Sequence, residues 1–235
     1  MEIIRKATPQ APKIMIYGTS GVGKTTLSSK LKNPLLIDFE GGANYLDIPR
    51  TPQITNVEVF YKILAELYHA KEHEFDTIVI DSADWLVRKV TEAAAEIDKD
   101  NLDKTLNKSN GGYGNGKQVL ENHIRTKLLP MLVTLNKAGY AICLIAHADR
   151  KTIMSPDGFD IEQIAPKIDS NTMNAFVEWC DNVFYLKKGS DGVRKLLVED
   201  DGVALAKNRL SLVGEYDIDN IDINELLIGK VKENK

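Results

Sequence analysis

Cysteine is scarce in this chain: Cys143 and Cys180 are the two among 235 residues, and each sits in an apolar stretch. So few ligand residues argue against a zinc site or a disulfide framework, and both read as reduced core thiols. No uninterrupted apolar run approaches the roughly 18 residues of a membrane span, and the first dozen residues hold only Ile3 and Ile4 as an apolar pair. Neither a span nor a signal peptide is expected, which points to a soluble, cytoplasmic protein with no membrane partner. Excess positive charge is lacking as well. A net charge of −4 excludes coating of duplex DNA by bulk attraction and leaves only local patches for nucleic acid. No Pro/Gly/Ser-rich linker divides the chain, and 43% hydrophobic content is enough for one sizeable core. The reading is one domain over residues 13–212, an N-terminal extension over 1–12, and an acidic segment over 213–235. In that last segment Glu215, Asp217, Asp219, Asp222 and Glu225 read as a solvated face.

What is present is a phosphate-binding loop. Gly18 to Thr25 reads GTSGVGKT and matches G-x-x-x-x-G-K-[ST], after the apolar run Ile14 to Tyr17 and before a helical stretch from Thr25 to Leu31. Gly18, Gly21 and Gly23 remove side chains that would block close backbone approach, so successive N–H groups point at an anion. The expected ATP-binding set is Gly18, Thr19, Ser20, Gly21, Val22, Gly23, Lys24, Thr25 and Thr26. Lys24 should reach the β- and γ-phosphates, and Thr25 should hold Mg²⁺.

Further along, apolar runs and helical periodicities alternate. Leu35 to Asp38, Thr77 to Asp81 and Tyr140 to Ala146 read as buried strands; 57–71, 84–97, 117–138 and 171–180 read as helices. Asp84 is placed to cap its helix, and Pro130 should bend the long one. Residues 101–116 lose all periodicity and hold four glycines around Tyr113, a loop longer than a connection needs. Asp149 to Ile164 reads as a projecting hairpin turning at Ser155-Pro156-Asp157-Gly158, and 183–187, 194–199 and 203–206 read as strands joined by tight turns. The fold class is therefore α/β: a mostly parallel central sheet, helices on both faces, and a C-terminal antiparallel extension.

In such sheets ligands sit at the C-terminal strand ends, which here bear the phosphate loop, Asp38-Phe39-Glu40, Asp81 and His147. Asp81, after Ile78-Val79-Ile80, is the expected Mg²⁺-ordering carboxylate. The residue after it is Ser82 and not a glutamate, so the base that activates water must come from elsewhere. Asp38 and Glu40, two apart at a strand end, should both face the cleft, with Glu40 the farther out and the general base.

The text from Leu36 to Asp47 resembles the RecA-like recombinase ATPases, whose second core strand ends in an acidic-x-Glu segment bearing the catalytic glutamate. The likeness runs from Lys13 to about Leu212. It implies that His147 is a polar sensor of the γ-phosphate reporting to the loop after it. It also implies that Lys207 and Arg209, in Ala206-Lys207-Asn208-Arg209, face the nucleotide of a neighbouring subunit, a cation acting in trans on the transferring phosphoryl group. The two long loops fall where that family binds DNA. Lys104, Lys108, Tyr113 and Lys117 in the first, with Arg150 and Lys151 in the second, combine charges for phosphates with a ring for base stacking. The chain is short for a full-size recombinase, and it most resembles the compact phage-type ATPases of single-strand annealing and recombination. That resemblance implies single-stranded DNA as partner, self-association in rings or filaments, a single-strand-binding protein as a further candidate, and the host cytoplasm as location. Ile4-Arg5-Lys6-Ala7 resembles a degenerate form of the family's polymerisation segment.

Three other readings compete. A replicative helicase motor or helicase loader uses the same core. A small-molecule kinase would need an arginine-rich lid, yet between Ser109 and Ile164 arginine occurs only at Arg125 and Arg150. A nucleotide-gated scaffold that scarcely turns over is the non-enzymatic alternative.

Overall fold

The computed structural model describes residues 10–96, 106–154 and 157–229. Lys104, the Ile4 to Ala7 segment and the Ser155-Pro156 half of the hairpin turn lie outside the described residues. In chain order the first elements are β1 (Lys13–Gly18), α1 (Lys24–Ser28), β2 (Pro34–Asp38), α2 (Val57–His69), β3 (Thr77–Asp81) and α3 (Ala83–Glu96). Then come α4 (Asn115–His123), α5 (Leu129–Lys137), β4 (Ala141–Met154), β5 (Asp160–Pro166) and α6 (Ser170–Trp179). The chain closes with β6 (Asn182–Lys188), β7 (Arg194–Leu197), β8 (Glu215–Asp217) and α7 (Ile223–Leu226).

The strand order is β2-β3-β4-β1-β6-β7-β8, with β5 paired to the outer half of β4. From β2 to β6 all neighbours are parallel, while β6, β7 and β8 run antiparallel, as the alternation of elements implied. β1 is apolar throughout because both its faces are covered: Met15 and Tyr17 join one buried layer, Ile14 and Ile16 the other. Helices α2 to α6 build the first layer, and α1, α7 and the chain around β8 build the second. No helix among the described residues is long and apolar enough to cross a membrane.

β1 lies between β4 and β6, with β2, β3 and β4 to one side and β6, β7 and β8 to the other. The loop that follows β1 therefore opens where crossovers leave in opposite directions, the usual ligand crevice of such sheets.

Three details differ from the sequence expectation. The single bent helix is α4 and α5 joined by a π-helical turn over Ile124–Leu128. Pro130 lies in the first turn of α5, and the wider turn before it absorbs the donor that proline lacks. Residues 203–206 form no ladder; they make only the isolated bridges Ile164↔Ala204 and, one residue on, Val183↔Lys207. The carboxylate of Asp201 accepts from the N–H groups of Val203 and Ala204, so a turn takes donors that a strand would use. Packing also continues past residue 213: Glu215–Asp217 is a sheet strand, and Ile218, Ile223, Leu226 and Leu227 are buried. Acidic residues alternate with apolar ones there: Glu215, Asp219, Asp222 and Glu225 are exposed, as the composition implied, while the apolar residues between them pack inward.

Candidate nucleotide site

The phosphate loop is held from both ends. A Cβ on Gly18 would lie 2.3 Å from the carbonyl oxygen of Leu186, so the first glycine is required by the close approach of β6 and not by an anion. Val22 is buried in the second layer and pins the loop, leaving Thr19, Ser20 and Gly21 exposed above it; Gly23, at φ +100°, turns the chain into α1, where Thr26 is exposed in the first turn. The Lys24 Nζ donates to the carbonyls of Gly18 at 3.0 Å and Thr19 at 2.9 Å. Burial lowers its pKa, while the negative charges of Asp81, Glu40 and Asp84 oppose that shift. A phosphate oxygen would replace two neutral acceptors with a charged one, a stronger partner for the ammonium.

Asp81 ends β3 beside the loop. The Thr25 hydroxyl donates to its Oδ2 at 2.7 Å. Burial pushes the Asp81 carboxyl up to about 6, against the Thr25 hydrogen bond, and Glu40 and Asp38 add to the rise. The neighbouring Ser82 hydroxyl is buried without a hydrogen-bond partner. One hydroxyl and one buried carboxylate short of counter-charge suit Mg²⁺, which keeps most of its shell as water and phosphate oxygen. No cluster of three or more His, Cys, Asp or Glu able to hold a metal occurs among the described residues, so no all-protein cage competes with Thr25 and Asp81 there.

Glu40 and Asp38 do not share the role expected of them. Asp38 is buried, and its Oδ1 accepts from the backbone N–H of Glu40 at 2.9 Å and of Gly41 at 2.6 Å. It shapes the turn that presents Glu40. The side chain of Glu40, about one third exposed, reaches the imidazole of His147, with Oε1 3.5 Å from Nε2. Asp84 holds the other side of that ring: Oδ2 is 3.0 Å from Nδ1, and Oδ1 accepts from the His147 backbone N–H at 3.2 Å. Asp84 sits in the first turn of α3 but spends its carboxylate on β4 instead of capping the helix. Sequence reading gave it only the capping role; its one other signal was the spacing of three residues from Asp81. Asp84, His147 and Glu40 thus form a chain of contacts bridging α3, β4 and the end of β2.

The remaining candidates scatter. Lys207 donates to the carbonyls of Val177 at 2.7 Å and Cys180 at 2.9 Å, closing the C-terminal end of α6. Arg209 is 62% exposed, with Asp181 3.6 Å away. Lys207 makes the bridge to Val183 and Arg209 follows it; Val183 is level with Met15, whereas the phosphate loop begins level with Leu186. The structure therefore places neither against this chain's own loop. Tyr113 is fully exposed with a positive φ, and Lys117 is exposed at the start of α4. In the hairpin, Arg150 is exposed and 3.4 Å from Glu162 across the strand pair. Lys151 instead folds inward, its ammonium on the carbonyl of Ile168, and burial lowers its pKa.

The family described as AAA domain matches residues 10–210. The SPbeta prophage-derived uncharacterized protein YorG of Bacillus subtilis (strain 168) is 27% identical over 214 residues, covering 86% of this chain. That match spans 61% of the relative's length. The crystal structure of the RadB recombinase superposes with a TM-score of 0.48 at 14% identity, covering 88% of each chain.

Proposed function

Because the chain belongs to the AAA-domain family of ATPase-type phosphate-loop proteins, we propose that it is a Mg²⁺-dependent ATPase that acts on single-stranded DNA in recombination or annealing. Its core works in the RecA-like manner, with nucleotide bound between subunits of a ring or filament. The observation that carries this reading is the 3.5 Å contact of His147 with Glu40, because the strand bearing His147 runs on into the projecting hairpin. The prophage origin of the Bacillus subtilis relative supports a phage setting.

In this mechanism the loop amides and Lys24 bind the phosphates. Mg²⁺, held by Thr25 and Asp81, neutralises phosphate charge when bound. Glu40 takes a proton from the attacking water, and proton transfer of this kind contributes about 10²–10⁴-fold. Asp84 fixes the His147 ring, and His147 sets the position of the Glu40 carboxylate. DNA engages Tyr113 by stacking and Lys108, Lys117 and Arg150 by charge. Arg209 reaches the nucleotide of the adjacent subunit, where a guanidinium stabilises the transferring phosphoryl group. Lys207, tied to α6, supports the segment that presents Arg209.

The experiment is the ATPase rate with and without single-stranded DNA, across a range of protein concentration. The specific rate should rise with both. A rate indifferent to DNA and to concentration would sink the reading.

A further inference from the structure

An ion pair between β7 and the acidic C-terminal segment lies beside the phosphate loop. Sheet order divides the surroundings of the phosphate loop: Glu40, Asp81 and His147 belong to β2, β3 and β4, all on one side of β1. The γ-phosphate of a bound nucleotide must lie towards them. The rest of the nucleotide then extends towards β6 and β7, on the other side.

Arg194 begins β7 on that side. Its Nη1 lies 2.7 Å from the position a Cβ on Gly23 would occupy, and its Cζ 3.8 Å from it, so the guanidinium lies against the phosphate loop. Asp219, just past β8, accepts from Nε at 3.3 Å and from Nη2 in a shorter contact. Among the described residues Asp219 is the only hydrogen-bond acceptor of this side chain. The grip is bidentate, so it fixes the plane of the fork and leaves Nη1 as the end directed at the loop.

We propose that Arg194 contacts the nucleotide, its Nη1 donating to the α- or β-phosphate that ADP and ATP share, with Asp219 as its positioning residue. The proposal rests on the reading of the loop as an ATP site. It assigns Arg194 to nucleotide affinity in cis, separate from hydrolysis, and it gives the segment after residue 213 a place in the pocket.

Equilibrium binding of fluorescent ADP and ATP to the full chain with Mg²⁺ tests this in wild type, Arg194→Gln, Arg194→Lys, Asp219→Asn and Lys24→Ala. Arg194→Gln should weaken both nucleotides equally, by about tenfold, the worth of one charge-assisted hydrogen bond. Arg194→Lys keeps the charge and the ion pair but lacks the fork; it should also weaken both, and it serves if Arg194→Gln does not fold. Asp219→Asn should weaken both by a smaller factor at an unchanged ratio of ADP to ATP affinity, which mere loosening of β8 would not predict alongside an unchanged urea midpoint. Wild-type affinity in both arginine variants, or a loss confined to ATP, overturns the proposal alone. If wild type binds no more tightly than Lys24→Ala, the ATP reading itself fails and takes the proposal with it.

Discussion

The imidazole of His147 stands 3.5 Å from the carboxylate of Glu40, although the two residues come from different strands 107 positions apart in sequence. Asp84 grips the far side of the ring through both its side-chain nitrogen and its backbone N–H. The ring bridges both carboxylates, so the orientation of Glu40 depends on where β4 sits.

Glu40→Gln keeps the size of the side chain but removes its basicity. Turnover should fall by about 100-fold or more, while ATP affinity stays near that of wild type. Single-turnover hydrolysis with a parallel binding titration measures both. An unchanged hydrolysis rate would remove Glu40 from the mechanism.

Asp84→Asn leaves the shape at α3 intact but lets the amide present a donor to Nδ1, favouring the other imidazole tautomer. The expected result is roughly a tenfold loss of turnover, the size of one lost charge-assisted hydrogen bond, with ATP affinity unaltered. Stimulation by single-stranded DNA should fall in the same proportion. Loss of affinity without loss of turnover would mean that Asp84 only supports the fold.

Asp81 should make the nucleotide-free protein less stable as pH rises from about 4 to 6. Its folded carboxyl is pushed up to about 6, above its ordinary value, so across that window the folded chain keeps a proton that the unfolded chain gives up. Stability therefore declines through the window and levels off above it, with about 2–3 kcal/mol as the upper size of the effect. Asp81→Asn should flatten this slope and stabilise the nucleotide-free protein at neutral pH by up to about 2 kcal/mol, while abolishing Mg²⁺-dependent turnover. Urea denaturation at several pH values is the check, and an unchanged slope in Asp81→Asn would refute the assignment.

Lys207 and Arg209 should separate cleanly. Lys207→Met removes donors from the last carbonyls of α6 and should cost about 1–2 kcal/mol of stability. Arg209→Ala should leave the unfolding midpoint in place and abolish the rise of specific ATPase rate with protein concentration. Equal effects of both on stability would place Arg209 in the fold as well.

Much of this site was legible in the sequence because its parts end strands. GTSGVGKT, Asp81 and His147 each close an apolar run, and a parallel sheet brings such ends together whatever the loops between them do. What escaped were contacts between elements distant in sequence. Asp84 reads as a helix cap because capping is local, whereas its partner lies 63 residues on. Asp38 was expected in the cleft from strand alternation, yet a turn of two residues captured its carboxylate. Lys207 reads as a free cation because the carbonyls it closes belong to another helix. Arg194 gave no signal at all, since nothing in its flanking sequence marks the glycine it lies against.

β4 is one unbroken strand from Ala141 to Met154, and His147 lies at its middle. Its inner half is clamped between β1 and β3, while its outer half is braced only by β5. The strand is thus a lever with its pivot at His147. Seven residues beyond His147, at about 3.3 Å each, make an arm of roughly 23 Å. Pushing the tip sideways by about 2 Å tilts the strand by roughly 5° at the pivot, on that arm length. Torque raised at the hairpin would reach the Glu40 contact through backbone alone, with no flexible joint in between to dissipate it.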